Sequence, residues 1–366
     1  MKSAYLLAGI QFRVFFKLLR RNKVSWLPKY LFRFFFVLQN AVWASLFAWL
    51  DRRKYGKEVE AYTLEKDPIF IIGHWRTGST FLHQLMSLDE NLSAPTLFQT
   101  AQPNGFKSAY YYFRPIMKMA LGKTRPFDQM KNSMDEPQED EFALVRLIGF
   151  SPMLGLVFPK KYSFFLKEYN KFLPETKEEM EKWEKQTRWF YKRLAWNSGK
   201  QLILKNPFHT FRIKKLLEMF PQAKFIHIYR NPMDVVPSTV RMWSIVGSQN
   251  TLNRCWKNPE IGDVSELLNS LLDTVERDKS LIPTGAYTEI RFEELEADTV
   301  GTLKKAYQSL GLEFGAAFES QLAKYMKEIQ DYEKNTYTLT EEEKLEIREH
   351  LESHIIRQNY GSAFGN

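Results

Sequence analysis

The 366-residue sequence predicts an α/β three-layer sandwich around a central parallel sheet. Three observations carry that reading. Short apolar runs without polar alternation recur along the chain, as strands buried on both faces require. Each is followed by a stretch of helical periodicity. The first run ends in a glycine-containing turn, HWRTGST at residues 74–80, which opens a helix. Strand, loop and helix in that order make the sandwich P-loop-like.

The chain begins with a segment, residues 1–60, that reads as two helices separated by Pro28. The body, 61–366, starts with a strand over Pro68 to Gly73 and a helix over Gly78 to Leu88. Residues 100–200 form a large helical insertion, with the charged, aromatic-striped stretch PETKEEMEKWEKQTRWFYKRLAW as one scaffold helix. A second strand is expected over Gln201 to Lys205, followed by a helix over His209 to Phe220. A third covers Ala223 to Tyr229, with a helix from Pro232. The fourth covers Tyr287 to Phe292, ahead of a helix near Thr299 to Leu310.

Composition excludes several functions. The single cysteine, Cys255, rules out an intrachain disulfide and a multi-cysteine metal site, and suits a reducing compartment. Six histidines without HExxH spacing argue against a zinc enzyme. The formal charge of +9 is concentrated at the start: Lys2, Arg13, Lys17, Arg20, Arg21, Lys23, Lys29 and Arg33 precede the first acid, Asp51, leaving the rest at about +1. A near-neutral body argues against nucleic acid. The basic head is also aromatic, with Phe12, Phe15, Phe16, Trp26, Phe32, Phe34, Phe35, Phe36, Trp43 and Trp49. The run Ala4 to Ile10 is too short for a signal peptide, and Phe34 to Leu50 is a minimal span interrupted by Gln39 and Asn40. Three arrangements remain open: an interfacial segment on an anionic membrane, a transmembrane helix, or helices covering the body or a second subunit.

The loop from Gly73 to Thr80 has the Walker A spacing of glycine, four residues, glycine, then Ser79-Thr80. Its lysine is missing. Ser79 takes the place of the residue that reaches the β/γ-phosphates, and the loop's cation, Arg76, comes three positions earlier. An extended triphosphate is poorly served. Two further segments, KNPFH (205–209) and RNPMDVVPS (230–238), fall at strand ends, where open α/β sheets bind ligands. The loop offers N–H groups and a positive helix end to one phosphate, while Arg230 and Ser238 suit a second. A nucleotide phosphorylated at both 5′ and 3′ positions fits this pattern.

This ordered set, covering residues 68 to 312, resembles the sulfotransferases that use 3′-phosphoadenosine 5′-phosphosulfate (PAPS). The segment EPQEDEFAL (136–144) resembles an acidic segment of their bacterial branch. The resemblance implies that Arg76, Thr77, Gly78, Ser79 and Thr80 bind the 5′-phosphosulfate, Arg230 and Ser238 the 3′-phosphate, and that Lys205 acts at the transferring group. It implies no metal, because fixed cations and N–H groups can stabilise a sulfuryl group that carries less charge than a phosphoryl group.

The acceptor hydroxyl needs a base. The cytosolic branch has a histidine two residues after its lysine, but position 207 is proline and the nearest imidazole is His209. Glu139 and Asp140 are the alternatives. Ser133 and Glu136 look like a capping box, on whose helix Glu136 and Asp140 would share a side. Trp75 stands where many relatives have proline. The C-terminal basic-glycine motif is absent, with Arg357 and Gly361 the nearest equivalents.

The expected acceptor is a hydroxyl of a sterol or other lipid, with a carbohydrate or small alcohol as the alternative. A cytoplasmic enzyme, peripheral on the inner face of a membrane through residues 1–55, would suit a lipid. Two other classes make distinct demands. A P-loop kinase needs a loop lysine and magnesium ligands, and a non-catalytic nucleotide-binding membrane protein needs neither Lys205 nor a base.

Overall fold

The computed structural model describes residues 6–22, 24, 27–120, 133–159, 173–254, 256–330 and 337–360. Lys2, Ala4, Lys23, Trp26, Cys255 and Gly361 lie outside the described residues, as do 121–132 and 160–172 of the expected insertion.

The first half of the chain runs α1 (Phe12–Arg21), α2 (Pro28–Ala61), β1 (Ile69–Ile72), α3 (Ser79–Met86), β2 (Leu92–Ser93), α4 (Leu97–Ala101), α5 (Phe106–Ala120), α6 (Glu141–Ile148), α7 (Leu154–Val157) and α8 (Lys177–Ser198). Then follow β3 (Gln201–Lys205), a 3-10 turn (Pro207–Arg212), α9 (Ile213–Met219), β4 (Lys224–Tyr229), α10 (Pro232–Asn250) and α11 (Ile261–Asp278). The chain closes with β5 (Tyr287–Arg291), α12 (Phe292–Ala297), α13 (Thr299–Ser309), α14 (Ala316–Glu328) and α15 (Glu341–Arg357).

The five strands form one sheet in the order β2-β3-β1-β4-β5. β1 runs parallel to β3 and to β4, and β4 parallel to β5. Helices lie on both sides, giving the P-loop-like three-layer sandwich. All four expected strands are present, within a residue or so of their expected ends. Two details differ. The short β2 was not expected, since two residues carry no periodicity. The helix expected from His209 begins as a 3-10 turn, in which Pro207 sits in the first turn and the Asn206 side chain accepts from the Phe208 N–H at 3.0 Å.

The chain forms two compact units. Residues 66–92, 203–243 and 258–366 make one. Its centre is β1, all four residues of which are buried, with the Phe70 ring stacked 5.4 Å from Phe225. Apolar residues on both faces of β1 explain why its sequence does not alternate.

Residues 1–65, 93–202 and 244–257 make the other. Here Pro28 takes the first helical position of α2, where its missing N–H costs nothing, and Thr176 caps α8 by accepting from Glu179 N–H at 3.2 Å. A buried carboxylate joins three of its helices. Asp51 of α2 accepts the Lys107 and Ser108 N–H groups in the first turn of α5, at 3.1 and 2.7 Å, and pairs with Arg193 of α8. Arg193 also donates to the Asn104 carbonyl at 2.6 Å and lies 4.3 Å over the Phe106 ring. Burial lowers the Arg193 pKa, and Asp51 opposes that shift.

Removing one member of such a pair leaves a buried charge without its counter-ion. Asp51→Ala is therefore expected to destabilise the protein by about 3–5 kcal/mol in urea unfolding, whereas adding Arg193→Met in the same chain restores a large part of that loss. Equal losses in the single and double variants would show that the pair does not hold these helices together.

Candidate active site

β1 delivers the chain into the loop at Gly73, whose φ is 137°. A Cβ there would lie 2.3 Å from the Ile228 carbonyl oxygen of the adjacent β4, so only glycine lets the loop leave the sheet this closely. The Gly73 N–H donates to Thr210 Oγ1 at 3.0 Å. Thr77 Oγ1 donates to the His74 carbonyl at 2.7 Å and tightens the turn. Arg76 takes φ 67°, a left-handed conformation that a side-chain-bearing residue holds at a cost of about 1 kcal/mol or more. Gly78, at φ 89°, precedes the first residue of α3, and a Cβ on it would meet the Phe292 ring at 2.1 Å. Ser79 and Thr80 open the helix, so their N–H groups belong to its positive end.

Trp75 packs edge-on against Phe208 at 4.8 Å and Trp243 at 5.2 Å. The tryptophan at this position is thus part of the core beneath the loop.

Three expected cations surround the loop. Lys205, the last residue of β3, is buried and donates from Nζ to Thr80 Oγ1 at 3.2 Å. Arg76 Nε donates to Ser238 Oγ at 2.8 Å, which brings together residues expected at different phosphates. Ser238 also accepts from the Tyr337 hydroxyl at 3.2 Å. Arg230 follows β4, pairs with Asp234 at 3.0 Å and places its guanidinium 4.6 Å from the Phe292 ring centroid. Its Nε is buried and has no hydrogen-bond partner among the described residues.

The candidate bases occupy different places. His209 is fully buried in the 3-10 turn, edge-on to Phe70 at 5.3 Å. Glu139 and Asp140 belong to the other unit, where both are buried just ahead of α6 and Asp140 accepts from the Tyr191 hydroxyl. The helix expected over Glu136 to Asp140 is not formed. Residues 133–140 pair back instead, with Gln138 N–H donating to Pro95 carbonyl at 2.8 Å and Leu97 N–H to Glu136 carbonyl at 2.9 Å. Proline at 137 withholds a helical N–H and favours this extended course. Arg357 ends α15 and pairs with Glu276 at 3.0 Å, away from any role visible at the loop.

No local pattern marks Phe292, Tyr337, Thr210 or Tyr191 for these positions. Their roles come from distant chain segments meeting, and each is an ordinary residue in its own local pattern.

A P-loop-like sheet whose strand ends present an anion-binding turn and several cations suits a group-transfer enzyme. The model of the sulfotransferase family matches residues 68–316. The chain is 32% identical, over 98% of its length and 92% of the relative's, to the omega-hydroxy-beta-dihydromenaquinone-9 sulfotransferase Stf3 of Mycobacterium tuberculosis, and equally to that of Mycobacterium bovis. Among solved structures it resembles the sulfotransferase STF9 of Mycobacterium avium, with a TM-score of 0.65 and 16% identity over 86% of this chain and 81% of that one. It also resembles STF1 of Mycobacterium tuberculosis, with a TM-score of 0.62 and 17% identity over 93% and 90% of the two chains. The chain belongs to the sulfotransferase family and is an enzyme that transfers sulfate.

One loop residue makes the fold sensitive to acid. His74 is fully buried, and its ring Nδ1 lies 2.9 Å from the Trp75 carbonyl. Burial drives its pKa down to about 4, against the smaller raising effect of that carbonyl. Between about pH 6.5 and 4 the unfolded chain binds a proton that the folded chain refuses. Stability is therefore lost as pH falls through this window, by up to on the order of 3 kcal/mol. Urea titrations across that range should show a shallower fall for His74→Asn, and an unchanged slope would remove His74 as the cause.

Proposed function

We propose that the enzyme transfers the sulfuryl group of PAPS to a hydroxyl on a lipid acceptor. The observation that carries the donor assignment is the buried Nε of Arg230, which has no hydrogen-bond partner among the described residues, together with the loop-and-lysine arrangement. A second phosphate on the nucleotide would supply the acceptor that this nitrogen lacks, and Arg76 with Ser238 supplies further donors nearby. The open helix end at Ser79 and Thr80, with Lys205 beside it, suits the 5′-phosphosulfate.

In the reaction the acceptor oxygen attacks sulfur as the bond from sulfur to the 5′-phosphate oxygen breaks. Negative charge grows on the departing phosphate, where Lys205 and the loop N–H groups are most stabilising. The hydroxyl proton passes to a base, and the likeness of EPQEDEFAL to the acidic segment of the bacterial branch makes Glu139 and Asp140 its candidates. The support for a lipid acceptor is the relative whose name states a hydroxylated menaquinone, at 32% identity over nearly the whole chain.

Two outcomes test the assignment. Arg230→Ala should weaken PAPS binding by about ten- to a hundredfold, the loss of a charge-assisted contact on the order of 1.5–3 kcal/mol, while Lys205→Ala lowers kcat far more than it weakens binding. Equal affinity of the unmodified protein for PAPS and adenosine 5′-phosphosulfate would overturn the Arg230 assignment.

With labelled PAPS, label should pass to hydroxylated isoprenoid lipids more readily than to glycans or small alcohols. Glu139→Gln and Asp140→Asn together should reduce that turnover by about a hundredfold or more, with donor binding retained. Preferred labelling of a glycan would place the enzyme with the carbohydrate sulfotransferases instead.

A further inference from the structure

Helix α2 is apolar on two faces. The inner face packs Val37, Ala41, Ala44 and Phe47 into its unit, and ends in the Asp51 node that binds α5 and α8. On the outer face Phe32, Phe35, Val42, Trp43, Leu46 and Trp49 are exposed. Their spacing of three, four and seven residues sets them on one stripe about 25 Å long. An outward stripe of this kind is opposite to the pattern of a helix that faces water.

The stripe does not end with α2. On α5 of the same unit, Tyr112, Ile116 and Met119 are exposed at helical spacing, Tyr112 by 72% and Met119 by 82%. The two stripes join through stacked rings. Phe47, buried between the helices, stacks with Trp43 of α2 at 6.3 Å and with Tyr112 of α5 at 6.4 Å. Scattered exposed apolar residues are ordinary, but two aligned stripes bridged by a ring ladder form one surface.

Charge decides what covers that surface. Neither α5 nor α2 before Asp51 contains an acid, whereas Lys29 stands at one end of α2, where Arg33 instead turns inward to the Thr251 carbonyl at 2.8 Å, and Arg52, Arg53 and Lys54 stand at the other. Arg53 lies 5.4 Å over the Trp49 ring, so a cation and an aromatic share the border. On α5, Lys107 and Lys118 continue the same sign, while Arg114 is paired with Asp135. Two copies meeting through this face would oppose like charges. An anionic bilayer complements both the cations and the apolar stripe. α2 is long and apolar enough to cross a membrane, but its inner face is committed to Asp51, α5 and α8, which keeps it in the interfacial plane.

We infer that α2 and α5 together form a docking surface for an anionic lipid bilayer, seating the stripe at the headgroup boundary with the flanking cations among lipid phosphates. The inference rests on the surface alone and stands whether or not the acceptor is a lipid.

The test uses the full chain with sedimentable vesicles of equal parts phosphatidylglycerol and phosphatidylcholine, against pure phosphatidylcholine. Binding should require the anionic lipid and fall partly at high salt, because screening weakens the cations but not the apolar insertion. Phe35→Asp with Trp49→Asp, and separately Ile116→Asp with Met119→Asp, should each weaken binding by about tenfold or more. Leu345→Asp with Ile356→Asp, at exposed apolar sites on α15, should leave it unchanged. Retained PAPS binding in every variant shows that the fold survives. Loss from the α2 pair alone would overturn the two-helix surface. Failure of the unmodified protein to bind anionic vesicles would overturn the inference, as would concentration-dependent dimers abolished by the same substitutions.

Discussion

Parallel pairing of β1 with β3 on one side and β4 on the other is the constraint on which the site depends. The registers Ile71 with Lys205 and Ile72 with His227 bring the ends of three strands to one edge. The glycine loop, Lys205 and Arg230 each follow directly from one of those ends. A one-residue slip of β3 would turn Lys205 to the other face of the sheet, since side chains alternate along a strand. A one-residue slip of β1 would bring Pro68, which has no N–H for the ladder, or Gly73 into the buried positions and would part the Phe70 ring from Phe225.

What was legible in the sequence follows from this. Strands buried on both faces announce themselves as apolar runs, and the loop announces itself by two glycines at fixed spacing. Both glycines prove to be forced, Gly73 by the Ile228 carbonyl and Gly78 by the Phe292 ring. The second of these neighbours was invisible. Phe292 stands more than two hundred residues from the loop, and only the placement of β5 beside β4 brings it under Gly78 and Arg230. The acidic segment was misread locally: Ser133 and Glu136 have capping-box spacing, but Pro137 and the pairing with residues 95–97 override it.

Buried cations show the same limit. Lys205, Arg193 and Arg146 are all buried, yet they do different things. Arg193 is matched by Asp51 and a carbonyl, as a structural charge should be. Arg146 donates to the carbonyls of Ala8, Thr100 and Phe142 with burial lowering its pKa to about 9, so it ties the chain's beginning to α4 and α6. Lys205 meets a hydroxyl at the mouth of a phosphate-type loop. Lys205 was marked in the sequence by its place at a strand end in KNPFH, but nothing there told Arg193 from Arg146. The partner decides, and the partner is set by tertiary structure.

The missing Walker lysine can now be understood in these terms. In the usual loop the cation is carried by the turn itself and moves with it. Here the loop position holds Ser79, while Lys205 reaches the next residue, Thr80, from the neighbouring strand at 3.2 Å. The cation is therefore positioned by sheet register rather than by loop conformation. A loop freed of that duty can place Arg76 in a left-handed turn and aim its side chain at Ser238 of α10. The arrangement trades the long reach along a triphosphate for cations held at the ends of neighbouring strands.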